Sequence, residues 1–197
     1  MDHYNEQLVE KATDGKDILK RIAIGLGLLI VIVISVFAMM LFGSFMLILI
    51  PVGAAYLAYL LFTGTFTEYE YIVTNNDLDI DKIVGRRKRK RLITVKLSNV
   101  SEWGEYGGNT VAADATVIAT DGRGQKDYYL TAKHDKYGKV AVIFTPIEET
   151  LVNINFAVPH SVKNRDLTAK GKAQDEKELE EERELDERLK SEAETEE

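Results

Sequence analysis

The sequence predicts a two-helix transmembrane hairpin followed by an α+β domain, in which seven short antiparallel strands form a partly open barrel that one C-terminal helix closes. Three patterns carry this prediction. The chain has no Asp, Glu, Lys, Arg or His from Ile22 to Phe62, apolar and polar residues alternate from Glu68 onward, and a helical stripe follows Thr145. A polar segment, residues 1–21, and a charged tail, residues 159–197, flank these parts.

The uncharged run, residues 22–62, is about twice as long as the roughly 20 residues that one membrane-crossing helix needs. The small pair Gly43-Ser44 divides it into two predicted spans, residues 22–42 and 45–62. Pro51 lies inside the second span and is expected to kink it. Ala54 and Ala58 are four residues apart, so they predict close packing against the first span or, alternatively, a homo-oligomeric interface.

The orientation follows from the basic residues next to the spans. Lys16, Lys20 and Arg21 precede the first span, and the connecting turn carries no charge. Both termini are therefore expected in the cytoplasm, in a multi-pass protein of the cell membrane. A signal peptide is the competing interpretation, but its apolar region would be shorter. In the juxtamembrane segment, residues 1–21, Tyr4 and Leu8 have the spacing of a short helix.

Residues 65–158 have the pattern of a β domain, with β-branched and aromatic residues alternating between turn signals such as Asn75-Asn76-Asp77 and Gly85. The first three strands are predicted to turn one face to the core, through Tyr69, Tyr71, Val73, Leu78, Ile80, Ile93, Val95 and Leu97. The other four strands are predicted at about 99–106, around Trp103, and at 112–120, 126–131 and 140–144.

The closing helix is predicted from a start signal and an apolar stripe. Thr145 can cap the helix, Pro146 suits its first position, and Glu148 completes a capping box. Ile147, Leu151, Ile154 and Val158 form the stripe.

The segment from Tyr69 to Ile80, followed by a basic run, resembles the start of bacterial PH-like (pleckstrin-homology-like) domains that follow a two-helix membrane anchor in Gram-positive bacteria. The resemblance implies an anchored scaffold. Phosphoinositide recognition of the familiar kind is not expected, because the closing helix has no Trp and the first hairpin loop, Asn75-Asn76-Asp77, is not basic.

The candidate binding residues are six consecutive cations, Arg86, Arg87, Lys88, Arg89, Lys90 and Arg91. Alternation predicts that Lys88 and Lys90 share an outer face with Asp79 and Asp81, while the arginines project beyond the barrel rim. The run would contact anionic phospholipid headgroups or an unidentified protein partner. The alternative is a solvated hairpin that only orients the spans, or one that the acidic tail covers. Nucleic acid is not expected, because no aromatic residue interrupts the run.

No catalytic, metal or cofactor site is predicted. Asp77, Asp79 and Asp81 resemble the start of an EF-hand loop, but Lys82 stands where that loop needs glycine. The tail should be helical or disordered, with Glu184–Arg188 and Asp186–Lys190 as helical ion pairs. The predicted function is a membrane-anchored, non-enzymatic binding or scaffold module at the cytoplasmic face. The alternative is a small accessory subunit of a membrane complex that acts through its transmembrane helices.

Overall fold

The structure, a computed structural model, describes residues 4–124 and 126–195, with the side chains at 174, 175, 178, 182, 184 and 186–195 left aside. The strands are β1 Tyr4–Glu10, β2 Thr67–Thr74, β3 Asp77–Val84, β4 Lys88–Lys96, β5 Val100–Glu105, β6 Ala115–Ala119, β7 Tyr128–His134 and β8 Gly138–Phe144. The helices are α1 Gly15–Phe42, α2 Leu49–Thr63, α3 Glu148–Ala157 and α4 Arg165–Thr195, with 3₁₀ turns at Phe45–Ile48 and Leu97–Asn99.

Two apolar helices occupy the uncharged run. α1, and α2 together with the 3₁₀ turn before it (Phe45–Thr63), are each long and apolar enough to cross a membrane. α1 begins at Gly15, earlier than predicted, and ends at Phe42, where Gly43 takes a left-handed conformation and donates its N–H to Met39 O at 2.9 Å. Pro51 lies in the first turn of α2, close to the change from 3₁₀ to α-helix at Leu49. The kink expected at Pro51 stays a prediction.

The strands form two four-stranded sheets, ordered β1-β2-β3-β4 and β5-β7-β8-β6. The prediction of seven antiparallel strands in one partly open barrel is corrected in three respects, the first being that the strands form two sheets and not one barrel. There are eight strands among the described residues, and β6 pairs with β8 in parallel. In the second sheet β7 lies between β5 and β8, and β6 lies on the far side of β8, so the connection from β6 to β7 crosses β8.

The additional strand is β1, which lies where the sequence predicted a juxtamembrane helix. Its residues alternate between exposed and buried, with Asn5, Gln7 and Val9 facing inward. The helical prediction was wrong because Tyr4 and Leu8 lie on the outer face of the strand. Two of the three inward side chains are polar, so the period-2 signal of a strand was hidden.

The inward polar residues of β1 bind the start of α3. Gln7 Nε2 donates to Thr145 O at 3.1 Å, and Gln7 Oε1 accepts from Ile147 N at 2.9 Å. Thr150 Oγ1 donates to Asn5 Oδ1 at 2.7 Å. Because these groups are buried, each hydrogen bond offsets a desolvation cost. β1 therefore attaches the closing helix to the first sheet.

The two apolar helices are inserted into a β-hairpin. β1 pairs antiparallel with β2, from Tyr4 opposite Thr74 to Glu10 opposite Glu68, and the chain between these strands is the helix pair. Lys11 N donates to Thr67 O at 3.0 Å, which extends the pairing toward the helices. The start of α1 and the end of α2 therefore leave the domain from neighbouring strands.

The predicted core of the first three strands of the β domain is confirmed, since Tyr69, Tyr71, Val73, Leu78, Ile80, Ile93, Val95 and Leu97 are all buried. Tyr71 links the two sheets. Its hydroxyl accepts from Thr145 N at 3.2 Å and donates to Ala119 O, and its ring meets Phe144 edge-on with centroids 5.6 Å apart. Burial raises the pKa of the Tyr71 hydroxyl, so it remains a donor.

The predicted capping box of α3 is not formed. The helix begins at Glu148, and the Thr145 hydroxyl is used elsewhere, donating to Asp127 Oδ1 at 2.6 Å and accepting from Asp121 N at 3.1 Å. In the predicted stripe, Leu151, Ile154 and Val158 are buried, whereas Ile147 is exposed.

The tail is a helix whose first turns pack on α3. Leu167 is buried with Leu151 and Val152, and Lys170 Nζ lies 2.5 Å from Glu148 Oε1. The predicted pairs Glu184–Arg188 and Asp186–Lys190 lie outside the described side chains.

The insertion predicts that a fragment starting at Thr65 will not fold, because it lacks β1 and exposes the polar start of α3. A chain in which a short Gly/Ser linker replaces residues 13–65 should instead fold as a soluble domain. Circular dichroism and thermal unfolding of the two fragments check this. Cooperative unfolding of the fragment that lacks β1 would contradict it.

Candidate functional site

The turn of the β3–β4 hairpin contacts the end of α2. Gly85 N donates to Phe66 O at 2.9 Å, and Arg87 Nη2 donates to Thr63 Oγ1 at 2.6 Å. Gly85 has φ 61°, and a Cβ there would lie 2.9 Å from Thr63 O, so only glycine fits without displacing the backbone. We call this contact, together with Arg21, the helix–sheet junction.

Arg21 joins α1 to the same junction. Its Nε donates to Thr65 Oγ1 at 2.8 Å, and its guanidinium carbon lies 4.2 Å from the centroid of the Phe66 ring and 5.6 Å from that of Phe62. Such cation–π geometry contributes about 0.5–2 kcal/mol. Sequence reasoning treated Arg21 only as an orienting charge, because its aromatic partners lie far away along the chain.

Within the basic run, the structure pairs three of the four arginines with acids and leaves the two lysines without an acidic partner, which reverses the prediction. The cause is a β-bulge, since Ile80 lies opposite Ile93 while Asp81 lies opposite Arg91. The extra residue, Leu92, shifts the side-chain alternation of β4 by one position. The predicted outer pairing of Lys88 and Lys90 with Asp79 and Asp81 is therefore wrong.

Arg91 and Arg89 bind carboxylates on the outer face of the first sheet. Arg91 Nε lies 2.5 Å from Asp81 Oδ1, and its Nη1 lies 2.5 Å from Asp79 Oδ2. Arg89 Nη2 lies 2.6 Å from Glu70 Oε1. Asp81 and Glu70 are both buried, so these guanidinium groups compensate acids that water does not reach. Asp79 and Asp81 are thus occupied by Arg91.

Arg86 completes the set of paired arginines. Its Nε lies 3.0 Å from Glu68 Oε1, and its Nη2 lies 3.3 Å from Glu10 Oε1. Hydrogen bonding to Glu68 raises the pKa of the Arg86 guanidinium. Since Glu10 is on β1 and Glu68 on β2, Arg86 connects the hairpin turn to the two strands that carry the apolar helices.

The lysines of the run lie on the other face of the hairpin. Lys90 lies opposite Lys82, and Lys88 lies opposite Val84. Within residues 4–124 and 126–195, neither Lys88 nor Lys90 has an acidic partner. The six predicted cations are therefore divided, with Arg86, Arg89 and Arg91 on carboxylates, Arg87 on Thr63, and the two lysines available.

Glu70 is the most deeply buried of the described acids in the first sheet. It is 2% exposed, and its Oε2 has no hydrogen-bond partner in the described part of the chain. Desolvation raises the pKa of the Glu70 carboxyl, and the nearby Arg89 acts in the opposite direction. The neighbouring Glu6 accepts a hydrogen bond from the Tyr4 hydroxyl at 2.5 Å.

Two apolar helices joined to a β domain of two sheets, with one helix closing it, define the chain as a mostly β domain that carries a helix pair. Residues 1–164 match the family model of a bacterial PH-like domain (DUF6106), and the chain belongs to this family. The predicted resemblance is confirmed. The match includes β1, both apolar helices and α3, and it ends immediately before α4. No curated protein and no solved structure matches the chain significantly.

The reversed pairing predicts different effects of similar substitutions in one strand. Arg89→Gln should lower the free energy of unfolding by about 1–3 kcal/mol, because it leaves the buried Glu70 carboxylate without its charged donor. Lys90→Gln should change it by less than about 0.5 kcal/mol. Thermal unfolding of the purified protein in detergent, followed by circular dichroism, gives both values. Equal effects of the two substitutions would contradict the assignment.

Glu70 predicts a pH-dependent stability difference. A raised carboxyl pKa means that the folded chain favours the neutral form of Glu70. The contribution of Glu70 to stability is therefore complete below the unfolded pKa of about 4.3 and is lost as pH rises through the folded pKa. Glu70→Gln cannot ionise, so its melting temperature relative to the parent should rise between about pH 4 and pH 7. The exposed change Glu102→Gln controls for net charge. A flat or falling difference for Glu70→Gln would refute the prediction.

Proposed function

We propose that the protein is a membrane-anchored, non-enzymatic binding module that presents its PH-like domain at the cytoplasmic face of the cell membrane. The observation that carries this proposal is the insertion of the apolar helix pair into the β1–β2 hairpin. A domain attached through two neighbouring strands cannot rotate about a single linker. Its surface is therefore held at a fixed height and orientation.

The exposure of the helices supports their insertion into a bilayer. Their most apolar windows have mean hydropathies of 3.0 and 2.2, and almost none of either window is buried within the chain. A core helix of a soluble protein would be covered by its own domain. Apolar side chains such as Leu29, Phe37 and Leu57 are instead more than half exposed. In a bilayer, lipid would cover these side chains and remove their contact with water.

The distribution of basic residues supports the cytoplasmic orientation. Lys16, Lys20 and Arg21 lie in the first turns of α1, and the basic hairpin contacts the end of α2 at the same side of the helix pair. The turn at Gly43-Ser44 carries no charge. Under the positive-inside rule both ends of the helix pair, and with them the domain, remain in the cytoplasm.

The partners we propose are the bilayer, including its anionic headgroups, and a protein that binds the domain. The fixed attachment supports a presenting role, since a partner would meet the same surface of every copy. Recruitment through the transmembrane helices, as in an accessory subunit, stays a prediction from the sequence.

Single cysteines test the orientation, because the chain has none of its own. Substitutions at Gly15, Ser44 and Ser161 are suitable, since a side chain at Gly15 meets no atom within 4 Å and Ser44 and Ser161 are exposed. An impermeant thiol reagent on intact cells should label only Ser44→Cys, and all three should react after lysis. Labelling of Ser161→Cys, but not Ser44→Cys, on intact cells would overturn the proposal.

A further inference from the structure

An open groove runs from the domain onto the apolar helices. Its upper part, about 730 Å³, is lined by Lys11, Lys20 and Lys82 together with apolar residues of both helices. A second part, about 440 Å³, continues between α1 and α2 and is almost wholly apolar. The two parts share Ala23, Ile24 and Leu61, so they form one groove with a basic mouth.

Small side chains line the apolar part. Gly27 on α1 and Ala54 and Ala58 on α2 face each other across it. The predicted small-residue face thus lies toward the first helix, but a space remains between the helices. A side chain at Gly27 would meet no atom within 4 Å. An open apolar space of about 440 Å³ at the surface of a helix pair has the volume and chemistry to hold an acyl chain.

The mouth has more positive than negative charge. Asp17 is the acid that lines it, and Asp17 Oδ1 lies 3.5 Å from Lys20 Nζ. Lys82 has no acidic partner in the part of the chain that the structure describes, and Lys90 lies directly opposite it on β4. Like charges opposite each other destabilise a strand pair. An anion at the mouth would remove this repulsion.

We infer that the groove binds one anionic phospholipid, with its phosphate among Lys11, Lys20 and Lys82 and one acyl chain between α1 and α2. This inference rests on the proposed function, because the lipid is supplied by the membrane that the helices enter. A soluble phosphate would use the basic mouth and leave the apolar part empty. The continuity of the two parts favours the lipid.

The site differs from the one predicted on the basic run. Three of the four arginines of that run are held by the carboxylates of the sheet, and Arg87 donates to Thr63. The phosphate ligands instead come from the loop after β1, from α1 and from β3. None of these lysines belongs to the run, and they converge only because β1 precedes the helix pair.

The test is native mass spectrometry of the full-length protein purified in mild detergent, with phosphatidylglycerol and phosphatidylcholine of the same acyl chains as probes. The parent should retain phosphatidylglycerol preferentially. Lys11→Gln combined with Lys82→Gln should reduce its retention at least about fivefold, since each cation contributes measurably to anionic lipid binding. Lys133→Gln combined with Lys136→Gln, a pair of exposed lysines away from the groove, is the matched control and should have no effect.

The acyl-chain position has its own control. Gly27→Leu places a side chain in the groove and should reduce retention, whereas Gly25→Leu adds the same side chain to open space that does not line the groove. Equal effects of the two glycine substitutions, or equal retention of both lipids by the parent, would overturn the inference. Displacement of phosphatidylglycerol by millimolar glycerol phosphate would also overturn it, because the ligand would then be a soluble phosphate.

The result of the lipid-retention test can be distinguished from the result of the cysteine-labelling test of the proposed function. If cysteine labelling supports both termini in the cytoplasm while the lysine pair does not alter lipid retention, the membrane anchor stands and the lipid site is refuted.

Discussion

The antiparallel pairing of β1 with β2 is the constraint on which the rest of the structure depends. The helix pair separates β1 from β2 in the sequence, and their pairing completes the first sheet. This pairing brings Asn5 and Gln7 to the start of α3. It also places Glu10 within reach of Arg86. The apolar helices are consequently an insertion in the domain, and their direction is set by two strands together with the contacts of Arg21, Gly85 and Arg87 at the helix–sheet junction.

The basic run shows that a cluster of cations in a sequence need not be a cluster of free charge. Arg91 bridges two carboxylates, and Arg89 compensates the buried Glu70. Guanidinium suits this role because its planar group has several donors and stays charged. The lysines at the alternate positions, Lys88 and Lys90, face the side on which the groove lies. The strand thus separates structural arginines from available lysines by alternation alone.

Most of the fold could be predicted because its signals are local. The uncharged run, the core positions from Tyr69 to Leu97 and the closing helix follow from hydrophobic period, and each is present. β1 could not be predicted, since Asn5 and Gln7 fill inward positions with polar groups whose partners lie on α3. The pairing of Arg89 and Arg91 with acids depends on a bulge between Ile80 and Asp81, and no residue pattern in the sequence indicates this bulge. The groove depends on the long-range pairing of β1 with β2, which the sequence did not predict.

The order of synthesis gives the polar character of β1 a further meaning. β1 is synthesised before its partner β2, and both apolar helices are made between them, a delay of several seconds at about 5–20 residues per second. During that time β1 is an unpaired edge, and an apolar edge would be prone to aggregate. Asn5, Glu6, Gln7 and Glu10 make this edge polar, which disfavours aggregation. Asn5 and Gln7, which hide the strand pattern in the sequence, thus also make the unpaired strand less apolar until β2 has been made.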